Sequence, residues 1–505
     1  MQHRHLLPAL LPLLVLAACT EQEPPTAPVE PGGPAFDHTA GHKVVNSLAD
    51  PGNGTCNAAQ CTLREAIEDP QSTEISFVQG LTGLITLAAP AAGGGTLAID
   101  KQLSITGPST GITIRRRSTD PGFRIFRIDS GVTVTLSNLA IRNGKTDHPG
   151  GGIFNRGGTL RLTNSTVAGS SASDGGGIAN QGTLTLLHST VAGNTGGGIS
   201  SRRGTLTLTR STVAGNTGAG ISNRGGTLTL LHSTVAQNTG VGVSSVGAFQ
   251  APSVATLTDA RIVGNSGGGI GNFKGRLTLT NSTVAGNSAF SGGGIANGND
   301  GDVTITNSTI AGNSATSEGG GIFNEARIRH NADVGLINST VSGNSARSGG
   351  GIFTSNRGEF AVSVSLTNST VVSNSATEEG GGIRQRGGEV FLGLTNSLVA
   401  RNSAPTGPDV LNTGDFVSAR FSLIGNGSGS DITNTDGNQV GSAGEPIDPK
   451  LGPLADNGGP TRTHALLPAS PAIDAASTPD CPTTDQRGVL RPQGAACDIG
   501  SYERR

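Results

Sequence analysis

The chain has 505 residues and no tryptophan, one tyrosine and one methionine. Aromatics make up 3 % of it, all but Tyr502 being phenylalanine. This excludes an ordinary aromatic-rich core, and it removes the flat indole surfaces on which carbohydrate-binding sites usually stack sugars. Charge is also scarce, at 14 % of residues, and the formal net charge is −2. Averaged over the chain, that balance gives no long-range pull on nucleic acid or an anionic membrane surface, so no nucleic-acid partner is expected. Long apolar runs are limited to LLPALLPLLVLAA after Arg4, which is too short to span a bilayer as a mature helix and reads as a secretory signal.

What the chain has in excess is glycine, 80 residues of it, and repetition. LTNSTVAGSSASDGGGIAN at 162–180 returns as LTNSTVAGNSAFSGGGIAN at 279–297. The position held by the first Asn of this element recurs at 138, 164, 188, 210, 232, 259, 281, 307, 338, 368 and 396, with a weaker member at Phe421. The gaps run from 22 residues (188 to 210) to 31 (307 to 338). A period in the twenties marks a solenoid. Within a unit, apolar residues alternate, as Leu206 and Leu208, and then recur singly as Val213 and Ile221, which is strand periodicity.

Three short strands per unit, around GTLTLT, STVA and GGGI, describe one turn of a parallel β-helix. Leucine-rich repeats, the main competitor, need a helical or irregular return segment that no unit contains. About 12 coils stacked at about 4.8 Å give a rod section of roughly 58 Å, with weaker strands over 75–115 extending it towards the N-terminus. The Asn of the GN element recurs as Asn194, Asn216, Asn238, Asn265, Asn287, Asn313, Asn344, Asn374, Asn402 and Asn426, Ser170 being the one substitution. These ten residues are expected to form an internal amide ladder. The triple glycines let the chain turn where a Cβ would clash. After 281 the units lengthen with polar segments such as NEARIRHNAD and SNRGEFAVS, so the side loops of 298–395 are where binding is expected to vary.

Both ends carry resemblances. Leu16-Ala17-Ala18-Cys19 resembles the lipobox of bacterial lipoproteins, which implies cleavage before Cys19, acylation of that residue and anchoring in a membrane. Thr20 after the Cys implies the outer membrane in a two-membrane bacterium. Thr62 and Glu65 match a capping box that opens a short helix. The stretch Cys61-Thr62-Leu63-Arg64-Glu65-Ala66-Ile67 resembles the CSLREAI motif that opens a class of secreted bacterial β-helix proteins, with Thr62 in place of Ser. DPKLGPLADNGGPTRTHALLPASPAID (448–474), DQRGVLRP and CDIGSYE resemble the choice-of-anchor module that follows such helices. In that family an anchoring tail typically comes next, whereas here two residues follow, so Cys19 is expected to supply the anchor. GGGI and the Gly321-Ile322-Phe323-Asn324 style resemble repeats of polymorphic outer-membrane adhesins, although the residues after 427 are too few and unpatterned for their barrel.

The expected organisation is all-β: a signal peptide (1–18), a Pro-rich tether (19–41), an N-terminal cap (42–74), a right-handed parallel β-helix (75–427), a connector (428–447) and a C-terminal module (448–505). The handedness comes from the resemblance. In an oxidising compartment Cys56, Cys61, Cys481 and Cys497 allow three pairings, of which the local one, 56 with 61 and 481 with 497, is favoured.

Four groups of residues are candidates for chemistry. His188, Arg210, His232 and Asp259 share the varying register and are the candidate catalytic set, although a solvated stripe is the simpler reading. Asn297, Asn299, Asp300 and Asp302 offer oxygen ligands to Ca²⁺, as do Asp431, Asn434, Asp436 and Asn438, but neither group has the distal bidentate Glu of a strong site. Asp474, Arg487, Arg491, Asp498 and Glu503 read as an ionic network inside the module. The expectation is therefore a lipid-anchored surface protein with a structural or adhesive role, presenting its side loops to a polysaccharide, surface or protein partner and requiring no cofactor. A polysaccharide lyase or glycoside hydrolase is the alternative. An enzyme requires carboxylates and Arg or Lys converging in one groove.

Overall fold

A computed structural model describes residues 41–109, 111–248, 251–327 and 330–505. The signal peptide, Cys19 and nearly all of the tether lie outside the described residues. Each repeat forms one coil of three strands, exemplified by Ile178–Asn180, Thr183–Leu187 and Thr190–Ala192. The coils stack in parallel and place like residues on like: Ile178 on Ile199, Leu184 on Leu206, Val191 on Val213. First and second strands build a 26-stranded sheet, and third strands build a 15-stranded one. A four-stranded strip, from Ser288–Ala289 to Ser375–Glu379, appears where the units lengthen. The inserted residues there are partly strand and not wholly loop.

Alternation decides which side chains go inside. Leu206, Leu208, Val213 and Ile221 are fully buried, each stacked on its equivalents above and below. Burying one such side chain contributes about 1.5–3 kcal/mol. The second and third strands meet at a corner whose residue is left-handed in every coil from Asn138 to Phe421, with φ between 44° at Asn368 and 56° at Asn138. Asn tolerates that conformation best, which explains its recurrence. The first glycine of a triplet is required by proximity as well as by its φ at Gly349, where φ is 65° and a Cβ would lie 2.6 Å from the Cβ of Phe353.

Interior polarity is organised into three columns. The expected amide ladder is present and unbroken from Asn194 to Asn402. Asn194 Nδ2 donates to Asn216 Oδ1, Asn216 to Asn238 and Asn238 to Asn265, each at 2.9 Å. The same 2.9 Å bond carries it on from Asn265 to Asn287, Asn287 to Asn313 and Asn313 to Asn344. Asn344 then donates to Asn374, and Asn374 to Asn402, again at 2.9 Å. The larger gaps in sequence between Asn287, Asn313, Asn344 and Asn374 leave this spacing unchanged, because the added residues lie outside the ladder's corner. Its last member differs from expectation. Asn402 donates to Asp409 Oδ1 through Nδ2 (2.8 Å) and its backbone N–H (3.0 Å), while the Asn426 N–H donates to Asp409 Oδ2 at 2.6 Å. Asn426 thus reaches the ladder's end only through its backbone, because terminating a donor chain against two further N–H groups requires a side chain that accepts at both oxygens.

A second column the sequence reading missed runs through the first strands: Asn155 donates to Asn180 (2.7 Å), and Asn272 to Asn297 and Asn297 to Asn324 (2.9 Å each). Where Ser245 replaces Asn, its hydroxyl turns to Ser253, and Asn272 Oδ1 is left with no donor. A serine column completes the set, Ser165, Ser189 and Ser211 accepting and donating between coils at 3.1 Å.

At the N-terminal end, helix Leu63–Glu68 carries the complete capping box of Thr62 and Glu65. Burial opposes ionisation of Glu65, but hydrogen bonds from Thr62 and Gly54 outweigh it and hold the carboxyl below its usual range. The buried Arg64 is fixed by Asp50 at 2.7 Å and by the Gly95 carbonyl at 2.9 Å. Both local disulfides are formed, Cys56–Cys61 and Cys481–Cys497.

The C-terminal module does not sit on the end of the rod. It folds back against the outer face of the 15-stranded sheet, where Gln486 accepts from Thr340 Oγ1 (2.6 Å) and donates to Thr309 Oγ1 (3.0 Å), and His464 meets Ser342 at 2.9 Å. Outward-facing Val372, Leu398, Ala400 and Leu423 form a core with Leu466, Ala472 and Ile499 of the module. In the two preceding coils the same positions are Thr309 and Ala311, then Thr340 and Ser342, and there the module makes polar contacts instead. The connector instead covers the last coil, adding strand Gln439–Val440 to the 15-stranded sheet and packing Ile432 against the main core.

Candidate functional site

The four candidate catalytic residues lie one above another at the left-handed corner, with φ of 49° (His188), 47° (Arg210), 48° (His232) and 51° (Asp259). His232 Nδ1 lies 3.5 Å from Asp259 Oδ2. His188 and Arg210 make no ion pair among the described residues, and both side chains are exposed. Downstream the same register is Asn and is covered by the module: Asn338, Asn368 and Asn396 donate to the carbonyls of Thr484 (2.7 Å), Asp498 (3.3 Å) and Ser477 (3.0 Å).

The oxygen donors proposed for Ca²⁺ do not converge. Asn297 is inside, committed to the second amide column, whereas Asp302 points outward to Arg276 at 3.4 Å. Asn299 Oδ1 accepts from the Arg327 N–H, and Asp300 holds His330 at 2.6 Å. Strand alternation separates 297 from 302, so their short spacing in sequence does not become one site. In the connector, Asn434 and Asn438 bind the backbone around Val440 and Ala419, and Asp431 accepts from Asn412. Among the described residues no group of three His, Cys, Asp or Glu side chains could hold a metal ion. In the module, Arg491 is fully buried against Glu503 at 2.9 Å, with Arg487 against Asp485 at 2.7 Å. Burial pushes the carboxyls of Glu503 and Asp498 up. Their hydrogen bonds run to the module's own backbone, consistent with a role in holding it together.

The densest convergence of charge lies elsewhere, on the outside of the first strands. Strands Ile322–Arg327 and Ile352–Arg357 place Ile inward, so Phe323, Glu325 and Arg327 and then Phe353, Ser355 and Arg357 face outward. The Glu325 carboxylate is 2 % exposed, receives Arg327 Nε at 2.6 Å and Arg357 Nε at 2.7 Å, and accepts from Ser355 at 3.2 Å. Its hydrogen bond and charge hold the Arg327 guanidinium above its usual range. Glu318 takes Arg386 at 3.2 Å, and Glu379 takes Arg384 at 2.9 Å. Phe323 and Phe353 stack at 5.7 Å with planes 6° apart, and Arg386 lies 5.2 Å from the Phe353 centroid, within cation–π range. The signal for this cluster was available as alternation outward from the Ile of each GGGI.

The same register upstream is different. Ala179, Ser200, Ser222, Ser244, Gly271 and Ala296 occupy the Phe323 position, making a floor of small residues that ends at Phe154. Beside the floor stand Arg156, Arg202 and Arg224, with Arg203 and Lys274 in left-handed turns (φ 54° each). Arg202 is paired with Asp174 at 2.7 Å. The other four are exposed and make no ion pair among the described residues.

With this geometry in hand, the family of right-handed β-helix regions matches residues 103–284. The fold is a right-handed parallel β-helix. The crystal structure of pectate lyase Pel9A is similar to the chain with a TM-score of 0.38 and 16 % identity, over 92 % of this chain and 97 % of that one. No curated protein matches the chain.

Proposed function

We propose that the chain is a cell-surface lipoprotein, anchored through an acylated Cys19, whose β-helix has a structural and adhesive role and presents residues 298–395 to a polysaccharide, surface or protein partner. One observation carries this reading over the lyase or hydrolase: the carboxylates of the densest cluster are committed to guanidinium partners. Glu325, Glu318 and Glu379 each hold an Arg of the first strands, and Glu378 of the neighbouring four-stranded strip holds Arg347. A general acid or base must exchange a proton with substrate, and a carboxylate held by two arginines is a poor candidate for that work. Ion-paired side chains beside a stacked aromatic pair suit recognition instead. The lipid anchor rests on Leu16–Cys19 alone.

The test has two arms. Cys19→Ser should move the protein from the membrane fraction to the soluble one and abolish adhesion of the bearing cells to a glycan-coated surface. Adhesion that persists at wild-type level without the anchor would sink the reading.

A further inference from the structure

Local charge departs sharply from the average. From 153 to 276 the chain carries nine Arg and Lys residues and only two carboxylates, Asp174 and Asp259, a balance of +7 within a chain of net charge −2. The fold gathers seven of the nine, all but Arg210 and Arg261, onto the outside of the 26-stranded sheet or the turn at its bend. Five of these, Arg156, Arg161, Arg203, Arg224 and Lys274, are exposed and without an ion pair among the described residues, and all but Arg161, which lies within strand Thr159–Thr163, stand beside the floor. Because the coils stack in register, these four form two adjacent files along the rod axis, Arg156 with Arg224 and Arg203 with Lys274, together spanning five coil steps or about 24 Å. Two of them occupy left-handed turns, at Arg203 and Lys274, where the neighbouring coils use Gly225 and Asn299. A long cation at such a position costs backbone energy that Gly or Asn would avoid.

We infer that this row is a binding site for a linear acidic polysaccharide lying along the rod axis over the floor from Ala179 to Ala296. Charge complementarity selects an anion, and the alignment of the row over several coils selects a polymer. The Ser200 hydroxyl is held by Asp174 at 2.9 Å. The floor is built of small residues, and its serines Ser222 and Ser244 bear hydroxyls that suit a polyhydroxylated chain. It carries no aromatic ring between Phe154 and Phe273 among the described residues, so bases would find nothing to stack on, which disfavours single-stranded nucleic acid. One coil step is close to the length of one sugar unit, so a polymer with one carboxylate per sugar stays in step with the coils, and four of the six coils from Arg156 to Lys274 offer one of these unpaired cations. This deepens the adhesive reading by naming a polymer class and placing it upstream of the 298–395 loops.

The test is equilibrium binding of the full-length chain to alginate, with dextran as the neutral control and an oligo-dT strand as the competing polyanion. Alginate is expected to bind, dextran not to bind, and oligo-dT to bind at least about tenfold more weakly than alginate. Replacing the row together, Arg156→Gln, Arg203→Asn, Arg224→Gln and Lys274→Asn, should weaken alginate at least about tenfold and flatten its salt dependence. Arg142→Gln, on the opposite sheet, should change it less than about twofold. Gln181→Glu, a single exposed change placing a carboxylate between Arg156 and Arg202, should weaken binding as well and serves if the fourfold variant does not fold. No alginate binding, oligo-dT binding as tight as alginate, or wild-type affinity in a folded fourfold variant or in Gln181→Glu would overturn the site. Alginate bound and then shortened would leave the cation site standing and remove the adhesive reading.

Discussion

Two stretches of one outer face, built by the same repeat, have opposite electrostatic states. Over coils 153–276 the cations are in surplus, and seven of the nine form no ion pair among the described residues. Over 298–395, nine carboxylates face six arginines, and Glu325 alone engages two of them. Beneath both stretches the interior is the same: stacked aliphatics, a serine column and amide ladders. The β-helix separates what holds the coil together from what the coil displays, since strand alternation sends neighbouring residues to opposite sides. Surface chemistry can then change from coil to coil without altering the core.

The largest expected effects test the shared interior. Asn216→Ala upstream and Asn344→Ala downstream each strip the acceptor from two N–H donors of the preceding Asn, Asn194 and Asn313 respectively, and each should cost about 3 kcal/mol by denaturant unfolding. Equal losses would support one common interior; a large loss in only one half would break the comparison. Next, Glu325→Gln should make the downstream face resemble the upstream one. Releasing two half-exposed arginines from a buried carboxylate should cost about 1–2 kcal/mol and raise affinity for anionic polymers.

A smaller effect lies at the ladder's end. Burial pushes the Asp409 carboxyl up, against hydrogen bonds from Asn402 and Asn426 that favour ionisation. The folded state therefore holds this proton more tightly than the unfolded chain does. Its contribution is complete below the ordinary Asp range and is lost as pH rises through the folded value, so stability should fall across that window. Comparing unfolding of wild type and Asp409→Asn over this pH range checks it, and the slope should vanish in the variant. The smallest effect is that of Gln181→Glu on stability, a gain of under about 1 kcal/mol from exposed pairing with Arg156 or Arg202, seen as a slight rise in melting temperature.

Much of the fold was legible because alternation and period are written in each unit: the three strands, the Asn ladder through Asn402, the capping box and both disulfides follow from local pattern. Asn426 and Asp409 show the limit. Only closure of the last coil reveals that both carboxylate oxygens face N–H groups. The module's position was hidden for a related reason, since outward Val372, Leu398 and Leu423 look like ordinary strand residues until the register shows them on the wrong side to be core. For the site, a shared register pointed to His188, Arg210, His232 and Asp259, but stacking does not make side chains converge, and only His232 and Asp259 approach each other. The Glu325 cluster draws on residues from 318 to 386 and forms only once the coils are stacked. The +7 segment needed no structure, yet averaging charge over the whole chain concealed it.

The account rests on recognition without turnover, so the most direct measurement is a glycan-array screen of the full-length chain with and without Ca²⁺, followed by product analysis of every glycan bound. It predicts acidic glycans retained at their original length in both conditions. Shortened or unsaturated products would contradict it and identify the protein as a polysaccharide-cleaving enzyme.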